Sequence, residues 1–496
     1  MRALTAMTML LAATAAHAEW PQADPRPAFH FAPQRNWMND PNGLVYYDGE
    51  YHLFFQYNPH GDRWGHMNWG HAVSRDLTTW QELPVAIPET EVMAFSGSAV
   101  IDWKNTSGFG KGGKPPMVAI YTGFDPKTRN QSQYVAYSND RGRTFTPYGK
   151  VIDIGSTEFR DPKVFWHAPT RRWVMVVVKA AEKKAAFYSS ADLKQWTHES
   201  DFGPTASSHS VNWECPDHFE LPIDKGRPGE TRWVLNVSQG DGGLDNGSAG
   251  QWFVGAFDGH RFTLEPGWPE APHWADEGAD FYAAQSWNEV PDGRRIWIGW
   301  ATNLRYASNI PTYPARGIMT MPRALSLRRE GTDWRIAQAP VREIEQYRGP
   351  ARHIADLRLG ASPKALDLAE SVDMTVTIEA LKATQVALTL TDAAGYQLVI
   401  GYTPATREVF VDRTRSGPHF HDAFAARHIA TLPPGDGPMT MRLLVDRSIV
   451  ELYAADGTRT ITDRFFRGRG PLRWEASSQG GEALIRKLDA WQLRPK

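Results

Sequence analysis

Apolar positions in this chain come in short runs rather than helical stripes. Tyr51-His52-Leu53-Phe54-Phe55-Gln56-Tyr57, Met117-Val118-Ala119-Ile120-Tyr121 and Trp173-Val174-Met175-Val176-Val177-Val178 are of one type, as are Trp233-Val234-Leu235-Asn236-Val237 and Ile296-Trp297-Ile298-Gly299-Trp300. Gly, Pro, Asn and Asp separate them, which is the signature of strands and turns. They recur every roughly 55 to 65 residues, somewhat above the about 40 to 50 of the usual propeller-blade repeats. Four of the five are trailed by an Asp turn a few residues ahead of an aromatic: Asp76 before Trp80, Asp140 before Phe145, Asp192 before Trp196 and Asp258 before Phe262. Such a turn suits a loop leading into an outer strand. Repetition of a multistranded unit predicts an all-β fold, a five-bladed β-propeller, with a large irregular β-sandwich as the alternative.

Past about residue 350 the runs give way to period-two alternation. Val372, Met374, Val376 and Ile378 alternate with polar residues, and Val386-Ala387-Leu388-Thr389-Leu390 and Gln397-Leu398-Val399-Ile400 behave similarly. Val445-Asp446-Arg447-Ser448-Ile449-Val450-Glu451-Leu452-Tyr453, followed by Asp456-Gly457, reads as a strand running into a hairpin turn. A second all-β domain, a C-terminal β-sandwich, fits these strands. The expected division is a propeller over 19–337, a linker with helical-looking turns over 338–357, and the sandwich over 358–496.

Composition narrows the address and the partners. A length of 496 residues accommodates two or three domains. The formal net charge of -2 points to no nucleic acid and no polyanion. Arg2, the apolar stretch 3–15 and the small-x-small site Ala16-His17-Ala18 form an export signal over 1–18, cleaved after Ala18. No stretch is long and apolar enough for a membrane span. The single cysteine, Cys215, rules out an intramolecular disulfide. No His-Glu-x-x-His occurs, and Gly240-Asp241-Gly242-Gly243-Leu244-Asp245-Asn246-Gly247 lacks the ligand spacing of a calcium loop, so it is read as a flexible loop. Neither a metal nor a cofactor is expected.

Three acids stand out because each has a proline close behind it: Asp40 in Trp37-Met38-Asn39-Asp40-Pro41-Asn42-Gly43, Asp161 in Arg160-Asp161-Pro162, and Glu214 in Glu214-Cys215-Pro216. The first motif reads as a tight turn, with proline fixing its own φ and Asn-Gly accepting left-handed geometry. Taken singly, each acid reads as a turn or capping carboxylate. Each also precedes a different repeated strand, and equivalent points on propeller blades converge at the axis. Two opposed carboxyl groups in one pocket are the equipment for cleaving a glycosidic bond. Asp40, with flanking amides on a solvated turn, suits the nucleophile. Glu214, beside Trp213, Cys215 and Pro216, suits the acid. Asp161 is expected to stay ionised next to Arg160.

These residues carry a resemblance. The 37–43 motif, Phe95-Ser96-Gly97-Ser98, Arg160-Asp161-Pro162 and Trp213-Glu214-Cys215-Pro216 resemble the ordered motifs of glycoside hydrolase family 32, the β-fructosidases. Also similar are Trp69-Gly70-His71-Ala72-Val73-Ser74-Arg75-Asp76-Leu77, Asp280-Phe281-Tyr282-Ala283-Ala284-Gln285, and the Asp446 and Glu451 segment. The resemblance covers essentially the whole mature chain. It implies a five-bladed propeller plus β-sandwich and retaining hydrolysis at C2 of a terminal fructosyl unit of a fructan (levan, inulin) or sucrose. By motif, Asp40 would be the nucleophile, Glu214 the acid/base and Asp161 the transition-state stabiliser. Asn39, Gln56, Trp64, Phe95, Ser96, Arg160 and Tyr282 would line the fructose pocket, with core packing as the alternative for the aromatics, favoured for Trp300. Within the family, the 51–80 stretch looks most like the exo-acting microbial fructan hydrolases. A fructosyltransferase or an endo-fructanase would be the chemical neighbours. A non-catalytic fructan-binding protein is the alternative of another class, and the presence of all three acids speaks against it.

Overall fold

Each repeated apolar run becomes the second strand of its own sheet: Glu50–Asn58, Met117–Phe124, Arg172–Lys179, Thr231–Gln239 and Arg295–Trp300. The computed structural model describes residues 26–494 apart from 225, 228 and 469. The export signal and its cleavage after Ala18 lie outside the described residues. The innermost strands are Asn36–Tyr47, Met93–Ile101, Phe159–His167, Trp213–Pro222 and Tyr282–Ser286, each antiparallel to the repeated strand that follows it. The trailing Asp turns precede the outer strands of the first four sheets. Asp76, for example, accepts the Thr78 and Thr79 backbone N–H groups at 3.0 and 2.8 Å.

The packing explains why these second strands read as unbroken apolar runs. Trp173 to Val178 are all buried, because each sheet is covered on both faces by its neighbours. Successive sheets share cores: Phe54 packs with Met117, Val118 with Met175, Val176 with Leu235, and Val234 with Trp297. Leu53 and Phe55 of the first sheet then meet Trp287, Ile296 and Ile298 of the last, closing the ring. Backbone bonds reinforce the closure, from Tyr46 N–H to the Asn288 carbonyl at 2.9 Å and from Asn288 N–H to the Leu44 carbonyl at 3.0 Å. The fold is a β-propeller followed by a β-sandwich.

Within 338–357, residues 338–340 finish the strand Asp333–Pro340, Arg342–Tyr347 make a 3-10 turn, and Arg348–Leu359 is the first sandwich strand. The sandwich has two six-stranded sheets. Val372, Met374, Val376 and Ile378 face Val386, Leu388 and Ile400 across its core, while Thr375 and Thr377 face outward and Asp373 is buried beneath Arg348 and Arg442. One-sided burial is the reason for the alternation.

Two local readings need correction: the stretch Val445 to Tyr453 is not one strand but turns at Arg447 and Ser448, between the antiparallel strands Met439–Asp446 and Ile449–Ala454. Asp40-Pro41-Asn42-Gly43 is not a tight turn but the middle of the strand Asn36–Tyr47. Its turn-like chemistry serves two breaks in register, between Met38 and Pro41 and between Asn42 and Val45. Gly43 has φ 54°, and a Cβ there would lie 2.5 Å from Phe54 and 2.8 Å from Trp69. Only glycine fits so close under those rings.

Candidate active site

All five innermost strands are irregular at corresponding places. Register slips between Met38 and Pro41, Ala94 and Gly97, Glu214 and Asp217, and Tyr282 and Gln285. In the third sheet it slips between Val176 and Val178, opposite Asp161 and Pro162. Successive residues of a regular strand point to opposite faces, and a bulge re-aims them. Adjacent residues can therefore both reach the axial cleft, as Asn39 and Asp40, Phe95 and Ser96, and Arg160 and Asp161 do. Asp161, Cys215 and Ala283 take φ values of 64°, 45° and 52°, backbone conformations costly for side chains with a Cβ and concentrated at functional sites.

The result is a cleft of about 340 Å³ lined by Asp40, Asp161 and Glu214. Asn39, Gln56, Trp64, Phe95, Ser96, Arg160 and Tyr282 line the same cleft, so every residue expected at the site from sequence meets there. Ser96 Oγ donates to Asp40 Oδ2 at 2.6 Å. Asn39 takes the Trp37 indole N–H on its side-chain oxygen at 2.8 Å, which turns its amide nitrogen away from Trp37. Asp161 accepts the Cys215 backbone N–H at 2.9 Å. The Cys215 thiol lies 3.5 Å from Asp40 Oδ2 and 3.6 Å from Asp161 Oδ2, tying the two acids to the segment that carries Glu214. Glu214 Oε1 accepts from Arg160 Nη2 at 2.9 Å and from Asn212 Nδ2 at 3.2 Å, and Oε2 accepts the Tyr282 hydroxyl.

Two electrostatic expectations change, and the surroundings of Glu214 differ from its sequence neighbours. Burial pushes Asp40 above the usual carboxylate range, and the nearby Glu214 charge adds to this, against hydrogen bonds from Ser96, Asn39 and Cys215. Its setting is an enclosed strand rather than a solvated turn. Asp161 is pushed up to about 7: burial dominates, Arg160 opposes it, and the charges of Glu214 and Asp40 reinforce it. Arg160 stands 3.9 Å from Asp161 and spends its closer contacts on Glu214 and Glu158, which is why it does not hold Asp161 in the ordinary range. Glu214 is not surrounded by its apolar sequence neighbours. Trp213 turns into the core between the third and fourth sheets, and the Glu214 carboxyl meets a guanidinium, an amide and a phenol instead.

Several cleft residues escaped the sequence reading. Trp300, read as core, is only 3% exposed yet lines the cleft, where it meets Trp37 edge-on at 5.7 Å. Leu304, Ala307 and Ser308 complete one wall from an irregular segment after the fifth repeat, with no periodicity to mark it. Asn212 was missed although it stands two residues before Glu214. Asp241, in the glycine-rich 240–247 loop, accepts from Ser210 Oγ at 2.7 Å and Val211 N–H at 2.9 Å, steadying the segment that holds Asn212. Among the described residues no group of three or more His, Cys, Asp or Glu side chains is arranged to hold a metal ion.

Comparisons with known proteins agree with the motifs. Residues 30–340 match the glycosyl hydrolases family 32 N-terminal domain, and 343–492 match the family 32 C-terminal domain. The chain is 42% identical over 501 residues to a levanase of Bacillus subtilis (strain 168), covering 98% of this chain and 73% of that protein. It is 38% identical over 511 residues to an extracellular exo-inulinase of Aspergillus awamori, covering 94% of each. The crystal structure of exo-inulinase from that fungus superposes with a TM-score of 0.89 at 37% identity, covering 95% of this chain and 99% of the other. The fructofuranosidase of Schwanniomyces occidentalis complexed with fructose gives 0.88 at 32% identity, covering 95% and 98%.

Proposed function

The chain belongs to glycosyl hydrolase family 32 and is a glycoside hydrolase of the β-fructosidase type, and from that premise we propose that it releases fructose from the non-reducing ends of fructans, and from sucrose, with retention through a covalent fructosyl-enzyme intermediate. The observation that carries the reading is the meeting of three carboxylates from three separate sheets in one cleft, two of them within reach of a single buried thiol.

In the first step Asp40 attacks C2 of the terminal fructosyl unit. The C2–O bond breaks and Glu214 gives its proton to the departing oxygen. In the second step Glu214 takes a proton from water, whose oxygen attacks C2 and frees Asp40. Arg160, Tyr282 and Asn212 fix the direction of the Glu214 carboxyl. Asp161 accepts sugar hydroxyls. With its pKa near neutrality, donors brought by the substrate favour the carboxylate, which then faces the positive charge that builds on the ring. Export belongs to the same proposal: a polymer too large to import is cut outside the inner membrane, and the Aspergillus awamori relative is named as extracellular.

Incubation with sucrose, inulin and levan, following products over time, tests the reading. Free fructose as the sole early small product of inulin and levan, and fructose with an equal amount of glucose from sucrose, is expected. Early oligosaccharides would turn the reading to endo action, growing oligomers to transfer, and absence of any product to a binding protein. With an activated fructoside whose leaving group needs no proton, Glu214→Ala should still form the covalent intermediate and Asp40→Ala should not.

A further inference from the structure

The wall made by Leu304, Ala307 and Ser308 is not supported by the propeller alone. Between these residues sits Tyr306, 1% exposed, whose hydroxyl donates to Asp280 Oδ1 at 2.7 Å. Arg413, from the sandwich strand Glu408–Arg415, reaches across the domain boundary. Its Nη2 donates to the Tyr306 hydroxyl at 2.8 Å, and its Nη1 bonds Asp280 Oδ2. The Arg464 backbone N–H, also from the sandwich, donates to the same Asp280 oxygen at 2.7 Å. Sandwich aromatics close the arrangement. Phe424 meets Tyr306 edge-on at 5.5 Å and lies under the Arg413 guanidinium at 4.1 Å, and Phe420 and Phe466 pack alongside.

This cluster touches the site at two points. Asp280 stands two residues before Tyr282, the donor to Glu214, and its bonds from Arg413 and the Arg464 N–H hold it there without the Tyr306 hydroxyl. Tyr306 anchors the segment carrying Leu304, which is 40% exposed and so lies at the mouth of the cleft together with Trp64 at 52%. The three acids and Tyr282 lie deeper. On the reading above, the terminal fructosyl unit fills the deep end and the remainder of the substrate passes the mouth.

We propose that Arg413, Asp280 and Tyr306 are positioning residues through which the sandwich domain holds the 303–308 wall against the leaving portion of the substrate. The cluster thereby sets the preference for long fructans over substrates with a small leaving group. A buried guanidinium–carboxylate–phenol cluster is stiff, because loosening any member strands the charge of another. Stiffness at the mouth matters only to a substrate that extends that far.

The test is steady-state kinetics of the full-length protein on long-chain inulin and on fructosyl fluoride, whose leaving ion makes no contact with the mouth. Tyr306→Phe deletes one hydroxyl and keeps the ring among Phe420, Phe424 and Phe466. Its kcat/KM on inulin should fall roughly tenfold, mostly through KM, while the value on fructosyl fluoride stays within about twofold. Phe420→Leu, half-buried and outside the charged cluster, should give the same split with a smaller ratio, and it serves if Tyr306→Phe does not fold. Equal losses on both substrates, or no loss on either, would overturn the proposal. Failure of the wild-type protein to cleave either substrate would instead count against the function proposed above.

Discussion

Two regions of this molecule bury carboxylates and treat them in opposite ways. Where the propeller meets the sandwich, burial pushes Glu451 up, but the Arg323 charge, His30 and the Tyr453 hydroxyl together pull it down to about 2. Its oxygens accept from Met321 N–H at 2.7 Å, from His30 and Arg323 at 3.3 Å, and from Tyr453. Its neighbour Asp446 accepts from Ala28 N–H, Phe29 N–H, His30 and Ser371, at distances of 2.8 to 3.0 Å for all four. At the axis Asp161 is comparably buried yet is pushed up to about 7. Its close donors are the backbone N–H and thiol of one residue, and two further acids crowd it. Around Glu451 and Asp446 the interface places donors on every side, whereas burial pushes Glu277, which accepts from Thr460 across the same boundary, up to about 7. The axis is short of donors, and the hydroxyls of a sugar would supply them.

The sharpest way to break this contrast is to remove one acid from each region. Asp40→Ala should lower turnover roughly a thousandfold or more, as expected when a nucleophile is lost. Its denaturation midpoint should hold or rise, because a charge the fold disfavours has gone. Glu451→Gln should do the reverse, costing about 3 to 5 kcal/mol because the buried Arg323 and His30 charges lose their partner. Turnover per folded molecule should stay close to wild type. Urea unfolding monitored by tryptophan fluorescence, with activity measured on the same samples, separates the two outcomes. An Asp40→Ala protein as unstable as Glu451→Gln would erase the distinction.

The pH dependence of stability should split along the same line. Asp161 has a folded pKa of about 7 against an ordinary 3.8, so the folded state holds its proton more tightly than the unfolded chain. Its contribution is most favourable below about pH 4 and is lost as pH rises toward 7, by a few kcal/mol in all. Glu451, at about 2 against 4.5, contributes above pH 4.5 and loses that contribution as pH falls through 2. His30, raised to about 9 by its hydrogen bonds and charge pairing with Asp446 and Glu451 despite burial, contributes fully below pH 6.5 and fades as pH climbs through 9. Asp161→Asn should therefore flatten the decline between pH 4 and 7 and leave the other two windows in place. An unchanged slope in that range would show that Asp161 titrates normally.

Much of this was legible in the sequence, for reasons that also explain the rest. The repeated runs were visible because the second strand of each sheet is buried on both faces, and the sandwich because its strands are buried on one. The three acids could be paired with three repeats, which placed them at a common axis. The bulges were not legible. Asp40-Pro41-Asn42-Gly43 has the local chemistry of a turn, and only its pairing with Phe54 and Phe55 makes it a strand. The environment of Glu214 was misread because its partners Arg160 and Tyr282 are 54 and 68 residues away, while Trp213 beside it faces elsewhere. The Asp446 and Glu451 segment was recognisable as a motif without its task. That task depends on His30 and Arg323, from opposite ends of the propeller sequence.

The smallest expected effect probes the neutral donors that favour the charged form of Asp40. Ser96 Oγ, at 2.6 Å, stabilises the charged form. Ser96→Ala should raise the Asp40 pKa further and move the acid limb of the kcat/KM profile upward, with a loss of a few-fold in activity on the acid side. The matching change at the interface is Ser371→Ala, which removes a hydroxyl 3.0 Å from Asp446. There two backbone N–H groups and His30 remain, so the loss should be only about 1 kcal/mol of stability with no displacement of the activity profile. One hydroxyl thus carries pH dependence at the axis and only stability at the interface. If Ser96→Ala leaves the acid limb where it was, Asp40 is held ionised by something other than its neutral donors, and the axis is less short of partners than its geometry indicates.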